Sequence, residues 1–372
     1  MLFEFDDDQR LWRDTVRDVV AKECPAALVR AVADEGADPD PLWRTYTRLG
    51  WTELTDPADA VELAIVLEEL GRVADPTPYL ATLTHFAPLV PEGLVRPGEC
   101  GAAVDGVRAT RDGRGWVLDG TVRHVLDGDR ADWLAVVTGE GVFAVPAGVA
   151  SAERTPVLDP LLHMAEVSFP EARVTEDARV SAAAPDHARA VALAGMAMTM
   201  VGACRRVLDL TLDHVRTRKQ FGAPVGSFQA VQHKAADMYV AVERARALAY
   251  YAALTIASDD PRRRVAASMA KAAAGECQSL VFRHGVQLFG AMGITWENDL
   301  QFALKRAKAG ELLLGGAAEH RALIAEDLRQ GSQGPERSRA PEGSREAERS
   351  REAERSREAE RSRTPEQSQG AS

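Results

Sequence analysis

A chain of 372 residues with 45% hydrophobic content can bury one large core or two to three smaller ones. Its formal net charge is −11, and because the last 41 residues carry nine Arg and nine Glu, the acidic excess belongs to the remainder. An acidic body argues against nonspecific nucleic-acid binding, which needs a basic face.

The cysteines and the N-terminus narrow the class of protein further. The four cysteines are far apart, with no C-x-x-C pair and no metal-ligand spacing. No basic region leads into an apolar run at the N-terminus, and no apolar run reaches the length of a membrane span. These observations predict a soluble, cytoplasmic protein that binds neither a metal nor a membrane.

Residues 1–92 have the pattern of a helical domain. Apolar residues recur at helical spacing near the start, at Leu11, Val16 and Val20. Residues 60–70 (A-V-E-L-A-I-V-L-E-E-L) are strongly amphipathic, and we expect this helix to end at Gly71.

Residues 93–182 change in character from helical to β-prone. Short runs at 115–120, 133–137 and 141–145 are separated by glycine-containing turns. This pattern predicts a small antiparallel β domain between two helical regions.

Residues 183–330 return to long helices and predict a four-helix, up-and-down bundle. The first helix, over 187–216, is rich in Ala and Met and apolar over much of its circumference. A helix of this kind belongs at the centre of the bundle or at a subunit contact.

Capping residues predict where the other three bundle helices begin. Ser227 is a candidate cap for a helix that runs to about Ser258. Asp260 and Pro261 fit the N-cap and first position of the next helix, and Asp299 fits the cap of the last.

Residues 331–372 form a low-complexity tail. The hexamer S-R-E-A-E-R occurs three times from Ser344 onwards, after a stretch rich in Gly, Ser and Pro. Because so few apolar residues cannot offset the entropy of ordering the chain, we predict a solvated, disordered tail rather than a docking helix.

Two glycine-containing turns beside helices carry the strongest functional signal. The first is R-K-Q-F-G at 218–222, followed by G-S-F-Q at 226–229, and the second is Q-L-F-G-A-M-G at 287–293. Glycine lets the backbone approach a phosphate closely, and Arg218 can donate a bidentate pair of hydrogen bonds to a pyrophosphate. Glutamine side chains can bind the polar edges of a cofactor.

In this order, the two turns resemble the C-terminal domain of the acyl-CoA dehydrogenase family, and the resemblance extends over about residues 1–330. It implies a mainly α protein with a middle β domain, which removes hydrogens from an acyl-CoA thioester with FAD and a glutamate base. It also implies that the bundle of one subunit binds the adenine and pyrophosphate of a neighbour's FAD. The implied cofactor-binding residues are Arg218, Gln220, Phe221, Gln229, Gln287, Gly290 and Gly293.

The β domain departs from the family pattern around the flavin ring. The family's W-I-T-N-G segment corresponds to residues 124–128, where His124 replaces the tryptophan and Leu126 replaces a hydroxyl donor. For the family's T-E-P-x-x-G-S-D segment the nearest match is 98–102 (G-E-C-G-A), which lacks the threonine, proline and serine.

The catalytic base is the larger departure. Aligning the family's Y-E-G-T segment on its glycine gives L-L-G-G at 313–316, so Leu314 stands where the glutamate is needed. The alternative position of the family base falls at about Ala192. Neither side chain can accept a proton, so the catalytic residue stays unknown.

Other polar residues near these positions stay open as bases, each with a structural alternative. Glu311 lies one helical turn before Leu314 and can equally be an ion-pair partner. Glu297 can be a capping acid, and Asp186 and His187 can be solvated residues at the start of a helix.

The resemblance therefore implies one reading of function and two alternatives. The first is the subunit without the base in a heteromeric acyl-CoA dehydrogenase, of the kind associated with steroid, dicarboxylate or polyketide acyl-CoA breakdown. The alternatives are a self-sufficient homotetramer with a relocated base and a flavin-free structural pseudoenzyme. The implied partners are an acyl-CoA substrate, related subunits in a tetramer and an acceptor such as an electron-transfer flavoprotein.

Overall fold

The computed structural model describes residues 5–180 and 185–332. Helices are followed by strands and then by long helices again, which confirms the predicted fold class. The described residues up to Ile324 form one compact unit, and the described residues from Ala325 onwards belong to a second unit. The predicted low-complexity tail lies outside the described residues except for its first two positions, and the predicted domain boundaries stay predictions.

The N-terminal region is built from four helices and a π-helical turn. They are α1 (Asp7–Glu23), α2 (Ala26–Glu35), α3 (Asp40–Arg48), α4 (Ala60–Val73) and the turn Ala81–Phe86. An N-terminal capping box on Asp6 and Gln9 starts α1.

Helix α4 does not end at Gly71, as the sequence predicted, but at Val73. The glycine serves packing instead, because a Cβ at Gly71 would lie 2.2 Å from the carbonyl oxygen of Thr199 on the next long helix. Gly202 on that helix faces α4 in the same way, 2.0 Å from the carbonyl oxygen of Glu68. Two glycines thus let the helices touch backbone to backbone.

The middle region contains two four-stranded sheets. Its strands are β1 (Gly101–Asp105), β2 (Arg108–Asp112), β3 (Gly115–Leu126), β4 (Trp133–Thr138), β5 (Gly141–Pro146), β6 (Ser151–Arg154), β7 (Met164–Thr175) and β8 (Arg179–Val180). The strand orders are β1-β4-β5-β8 and β2-β3-β7-β6. Apolar residues from both sheets form one core that includes Leu118, Val136, Phe143 and Val167.

All the pairs within these two sheets are antiparallel, as predicted, except one. Strand β1 pairs with β4 in parallel, with Gly101 opposite Trp133. The intervening chain passes through β2 and β3 in the other sheet before it returns, which reverses the direction that a hairpin would give. A run-by-run reading of the sequence does not reveal this crossover.

The described part of the C-terminal region contains five helices and a small hairpin. The helices are α5 (Pro185–Thr217), α6 (Gln229–Ala257), α7 (Arg263–Phe289), α8 (Leu300–Leu312) and α9 (Ala317–Ser332). The hairpin lies between α5 and α6 and consists of β9 (Lys219–Gln220) and β10 (Ala223–Pro224). Side-chain contacts show that neighbouring helices alternate in direction. Lys234 near the start of α6 meets Gln287 near the end of α7. Lys271 in the first half of α7 meets the carbonyl of Glu311 at the end of α8. The predicted up-and-down arrangement is confirmed.

Helix α5 lies at the centre of the bundle, in contact with α4, α6, α7 and α8. Contrary to the expectation from sequence, it is long and apolar enough to cross a membrane by length and composition, and 78% of its most apolar window is buried. The helical neighbours supply the apolar surroundings that such a surface needs.

Two of the three predicted caps of the bundle helices are not made by the predicted side chains. Ser227 donates its hydroxyl to the carbonyl of Pro224, and Phe228 takes the N-cap position. Asp260 does accept from the backbone N–H of Arg262, as a cap would, although α7 itself begins only at Arg263. Asp299 occupies the N-cap position of α8, but its carboxylate binds Arg30, because the N-terminal helices pack beside this loop.

A buried ion pair joins all three regions of the chain. Arg306 of α8 donates to Asp159 of the β region at 2.6 Å, and both side chains are almost fully buried. The same guanidinium donates to the carbonyls of Ala74 and Asp75 after α4. Each of the two buried charges is therefore paired with the other, and the pair lies where the three regions meet.

Candidate nucleotide site and base position

The two glycine turns lie at the same end of the helix bundle. The rings of His214, in the last turn of α5, and Phe289, at the end of α7, stack with centroids 4.4 Å apart. Arg218 N–H donates to the carbonyl of His214, and Gly290 directly follows Phe289. The sequence placed these turns far apart in the chain, and the alternating helix directions bring them together.

The first turn is a tight hairpin with Phe221 and Gly222 at its tip. Gln220 pairs with Ala223, so only these two residues form the loop. Their φ angles are 52° and 79°, as a type I′ turn requires, although a bulky residue adopts such an angle only at a cost in energy. The Phe221 side chain is also 93% exposed. An aromatic ring held in this way is suited to contact a ligand or a partner.

Hydrogen-bond donors beside this hairpin are available to a ligand. Within the described ranges, the Arg218 guanidinium makes neither an ion pair nor a hydrogen bond, and neither does the side chain of Gln229. Burial, followed by the charge of Arg218, lowers the pKa of His214. An unpaired guanidinium is a suitable site for an anion.

The second turn offers open backbone. Gly290 has a φ of 64°, and no atom lies within 4 Å of the position that a Cβ would occupy there. Gly293 is buried, and a Cβ on it would lie 2.9 Å from the side chain of Phe289. Gln287 is exposed and accepts a hydrogen bond from Lys234. The first glycine leaves space for a ligand, whereas the second is needed for packing.

Taken together, these residues fit the adenosine and pyrophosphate half of FAD. Arg218 would bind the pyrophosphate, whereas Gln220, Gln229 and Gln287 carry donors and acceptors for the polar edges of the nucleotide. The open backbone at Gly290 admits a phosphate or ribose group at close range.

We expect Phe221→Gly to lower FAD affinity about tenfold, the value of one buried aromatic contact. The free energy of unfolding should change by less than about 1 kcal/mol, because relief of the strained φ offsets the entropy of glycine. FAD titration and urea unfolding test the two effects. Weakened subunit assembly with normal FAD affinity would instead place Phe221 at a subunit contact.

The β region is less suited to contact the flavin ring than the bundle is to contact the nucleotide. His124 has a φ of 61° and lies at an irregularity in the pairing of β3 with β7, exposed to solvent. Leu126 is buried and packs in the core of the helices rather than facing open space. Glu99 of the second segment accepts from the backbone of Arg96 and from the indole of Trp133. Both segments therefore have structural roles here.

Two buried side chains form hydrogen bonds with the backbone of the loop after α8, where the family base is expected. Lys271 donates to the carbonyl of Gly315 at 2.7 Å, and His320 bonds the carbonyl of Leu314 at 2.9 Å. Leu314 and Gly315 have φ angles of 58° and 93°, and Leu314 packs partly against the helical core. The backbone at this position is sharply turned, but Leu314 offers no proton acceptor.

The Glu311 carboxylate lies beside the end of this loop, because a Cβ on Gly316 would be 3.2 Å from its Oε1. Its Oε1 accepts from the backbone N–H of Ala317, the first residue of α9, at 3.2 Å. Its Oε2 is buried where a Cβ on Gly275 would lie only 2.0 Å away. A carboxylate at a helix N-terminus stabilises the helix, so this geometry favours a structural role for Glu311.

The other candidate bases also have structural surroundings. Glu297 is exposed, and Arg30 donates to its backbone carbonyl. Asp186 is exposed at the start of α5, whereas burial and then Arg263 lower the pKa of the half-buried His187. Ala192 is buried within the bundle.

Lys271 should make stability depend on pH. Burial lowers its pKa from 10.5 to about 8, and Glu311 and Glu319 only partly oppose this effect. Because the unfolded chain then holds the proton more tightly, the free energy of unfolding should rise between pH 8 and 10.5, by about 3 kcal/mol from this group. Urea unfolding of wild type and Lys271→Met at both pH values checks this. Equal pH slopes in the two proteins would contradict it.

Sequence reasoning missed the residues that support the two turns and the loop, namely His214, Lys234, Lys271 and His320. Lys271 had a usable signal, because it is a lone charge in the alanine-rich segment 266–274. The other three lie on helix faces with no distinctive pattern, and only the packing of the helices shows what they contact.

Comparison with known proteins is consistent with these features. The family model "Acyl-CoA dehydrogenase, N-terminal domain" matches residues 6–91, and "Acyl-CoA dehydrogenase, C-terminal domain" matches residues 187–329. Acyl-CoA dehydrogenase IpdE2 of Mycolicibacterium smegmatis is 33% identical over 86% of this chain and 99% of its own length.

Solved structures share the fold. The ChsE4-ChsE5 complex of Mycobacterium tuberculosis superimposes with a TM-score of 0.80 at 24% identity, over 88% of this chain and 99% of that chain. A variant of the steroid ACAD Tcur3481-Tcur3483 gives 0.78 at 24% identity, with the same coverage of each chain. The protein is thus a member of the acyl-CoA dehydrogenase family, whose cofactor is FAD.

Proposed function

We propose that this chain is the subunit of a heteromeric acyl-CoA dehydrogenase that binds the nucleotide half of FAD but carries no catalytic base. A related subunit would provide the carboxylate that removes the α-proton of the acyl-CoA thioester. FAD, when bound, provides the acceptor for the β-hydride. The residues of this chain would hold the adenosine and pyrophosphate through Arg218, Gln229 and Gln287.

The observation that carries this proposal is the loop after α8. It presents Leu314 at the family position of the base. Two carboxylates of the described residues lie nearby: Glu311 accepts from the N–H of Ala317 at the start of α9, and Glu319 of α9 lies beside Gly315. Proton abstraction needs a base within hydrogen-bonding reach of the substrate. A second subunit with an intact base would meet this need.

The exposed apolar side chains of the C-terminal region support assembly with another subunit. Phe221, Phe282, Met292, Ile294 and Trp296 are each at least 40% exposed. We propose that a related subunit covers these side chains, since apolar side chains that lie together on a surface mark contacts between proteins. The similarity to the ChsE4-ChsE5 complex, which contains two differently named chains, also supports a heteromer.

We further propose a bulky acyl group as the substrate class, in line with the similarity to a steroid ACAD. The electron acceptor we propose is an electron-transfer flavoprotein. All four cysteines are buried and free, which is compatible with the cytoplasmic location that we propose.

The experiment that tests the proposal is purification of the full-length chain alone and together with a related subunit encoded beside it. We expect a colourless, inactive chain alone, and a yellow complex that dehydrogenates acyl-CoA after co-expression. A lone chain that is yellow and active would overturn the proposal and favour a self-sufficient homotetramer.

The variant Glu311→Gln distinguishes a heteromer whose base lies on the other subunit from a self-sufficient enzyme that uses Glu311. Glutamine keeps an oxygen for the N–H of Ala317 but cannot act as a base. We expect the co-expressed complex to keep its activity with this variant. Loss of activity with full flavin content would make Glu311 the base.

A further inference from the structure

A lysine outside both glycine turns is bonded to one of the predicted nucleotide-binding residues. Lys234, on the second turn of α6, donates through Nζ to Oε1 of Gln287 on α7. The sequence resemblance assigned Gln287 to the nucleotide, and it gave Lys234 no role. Their contact crosses between two helices at the end of the bundle that carries both turns.

This bond decides which way the Gln287 amide faces. A glutamine side chain has one oxygen that accepts and one NH₂ group that donates, and a lysine ammonium can only donate. The oxygen must therefore face Lys234, because the reverse orientation would set donor against donor. The NH₂ group of Gln287 then faces away, and within the described ranges no protein acceptor binds it.

The groups around Lys234 leave its charge available for this bond. Asp237, one turn later on α6, is the carboxylate that faces this cluster, and Arg283 and His284 face it from α7. Burial, then Lys234 and Arg283, lower the pKa of His284, and its buried Nδ1 has no partner among the described residues. Asp237 forms no ion pair with Lys234 within the described part of the chain, so the lysine stays on Gln287.

We propose that Lys234 is a positioning residue of the FAD site. It holds the Gln287 amide so that the two N–H donors point at acceptor atoms of the nucleotide, namely pyrophosphate oxygens or ring nitrogens. This inference rests on FAD binding at the two turns. It does not depend on whether the chain works in a heteromer or alone.

The test is FAD affinity of the full-length protein in the assembly that binds FAD, measured by titrating FAD back into protein stripped of it. Lys234→Met keeps the length of the side chain and removes its donors, and we expect affinity to fall about three- to tenfold. Lys234→Arg keeps the donors and should stay close to wild type. Lys22→Met removes an exposed lysine elsewhere and serves as the charge control.

A double-mutant cycle with Gln287→Ala shows whether the lysine acts through the glutamine. We expect Lys234→Met to have little further effect once Gln287 is alanine. An equal loss in both backgrounds, or no loss in the wild-type background, would overturn the proposal. If Arg218→Ala weakens FAD binding while Lys234→Met does not, the positioning role fails and the FAD site stands.

Discussion

Replacing Arg218 with alanine is expected to lower the affinity for FAD about 10- to 100-fold. The guanidinium is unpaired among the described residues, and hydrogen bonds to a charged group contribute about 1.5–3 kcal/mol each. Titration of FAD into stripped protein, followed by flavin fluorescence, measures the change. Because Arg218 makes no ion pair within the described ranges, the free energy of unfolding of the protein without FAD should stay within about 0.5 kcal/mol.

Two further variants make this result specific. Arg218→Lys keeps the charge but loses the planar, bidentate geometry, so we expect an intermediate loss of affinity. Arg216→Ala, two residues earlier, removes an exposed arginine that pairs with Asp213 and should leave FAD affinity unchanged. Equal affinities for wild type and Arg218→Ala would remove Arg218 from the site.

Replacing Arg306 with alanine is expected to destabilise the protein by about 3–5 kcal/mol. The change leaves the carboxylate of Asp159 buried without its counter-charge, and it also leaves the carbonyls of Ala74 and Asp75 without this donor. Urea unfolding monitored by far-UV circular dichroism measures the loss. Because Arg306 contacts three regions, we expect all of them to unfold in one transition at lower urea.

The double variant Arg306→Leu with Asp159→Leu distinguishes an unpaired charge from lost packing. Removing both charges at once should restore much of the stability, since buried pairs can often be replaced by apolar residues at little cost. Double and single variants that are equally unstable would show that the packing of the three regions, rather than the unpaired carboxylate, sets the loss.

Local patterns predicted element types well and element ends less well. The amphipathic pattern of 60–70 predicted a helix, and the short β-prone runs at 133–137 and 141–145 fall within β4 and β5. The expected end at Gly71 was wrong because a glycine in a helix can serve close packing as well as termination. Only the position of α5 beside α4 shows which role applies.

Capping residues were misjudged for a related reason. Ser227 and Asp299 stand where local rules favour a cap, yet one donates to Pro224 and the other binds Arg30. A polar side chain can choose between a local backbone partner and a distant one. The choice depends on what the fold brings near, which no local window contains.

The sequence by itself determined the order of helices and strands, the family, and the absence of a carboxylate at Leu314 and Ala192. Periodicity and residue identity are local properties, so they can be read from the sequence without knowledge of the fold. The tertiary structure alone decided that the two glycine turns share one end of the bundle, that Glu311 faces α9, and that Lys234 holds Gln287. These facts follow from helix direction and from which faces meet, and both arise only when the long helices pack together.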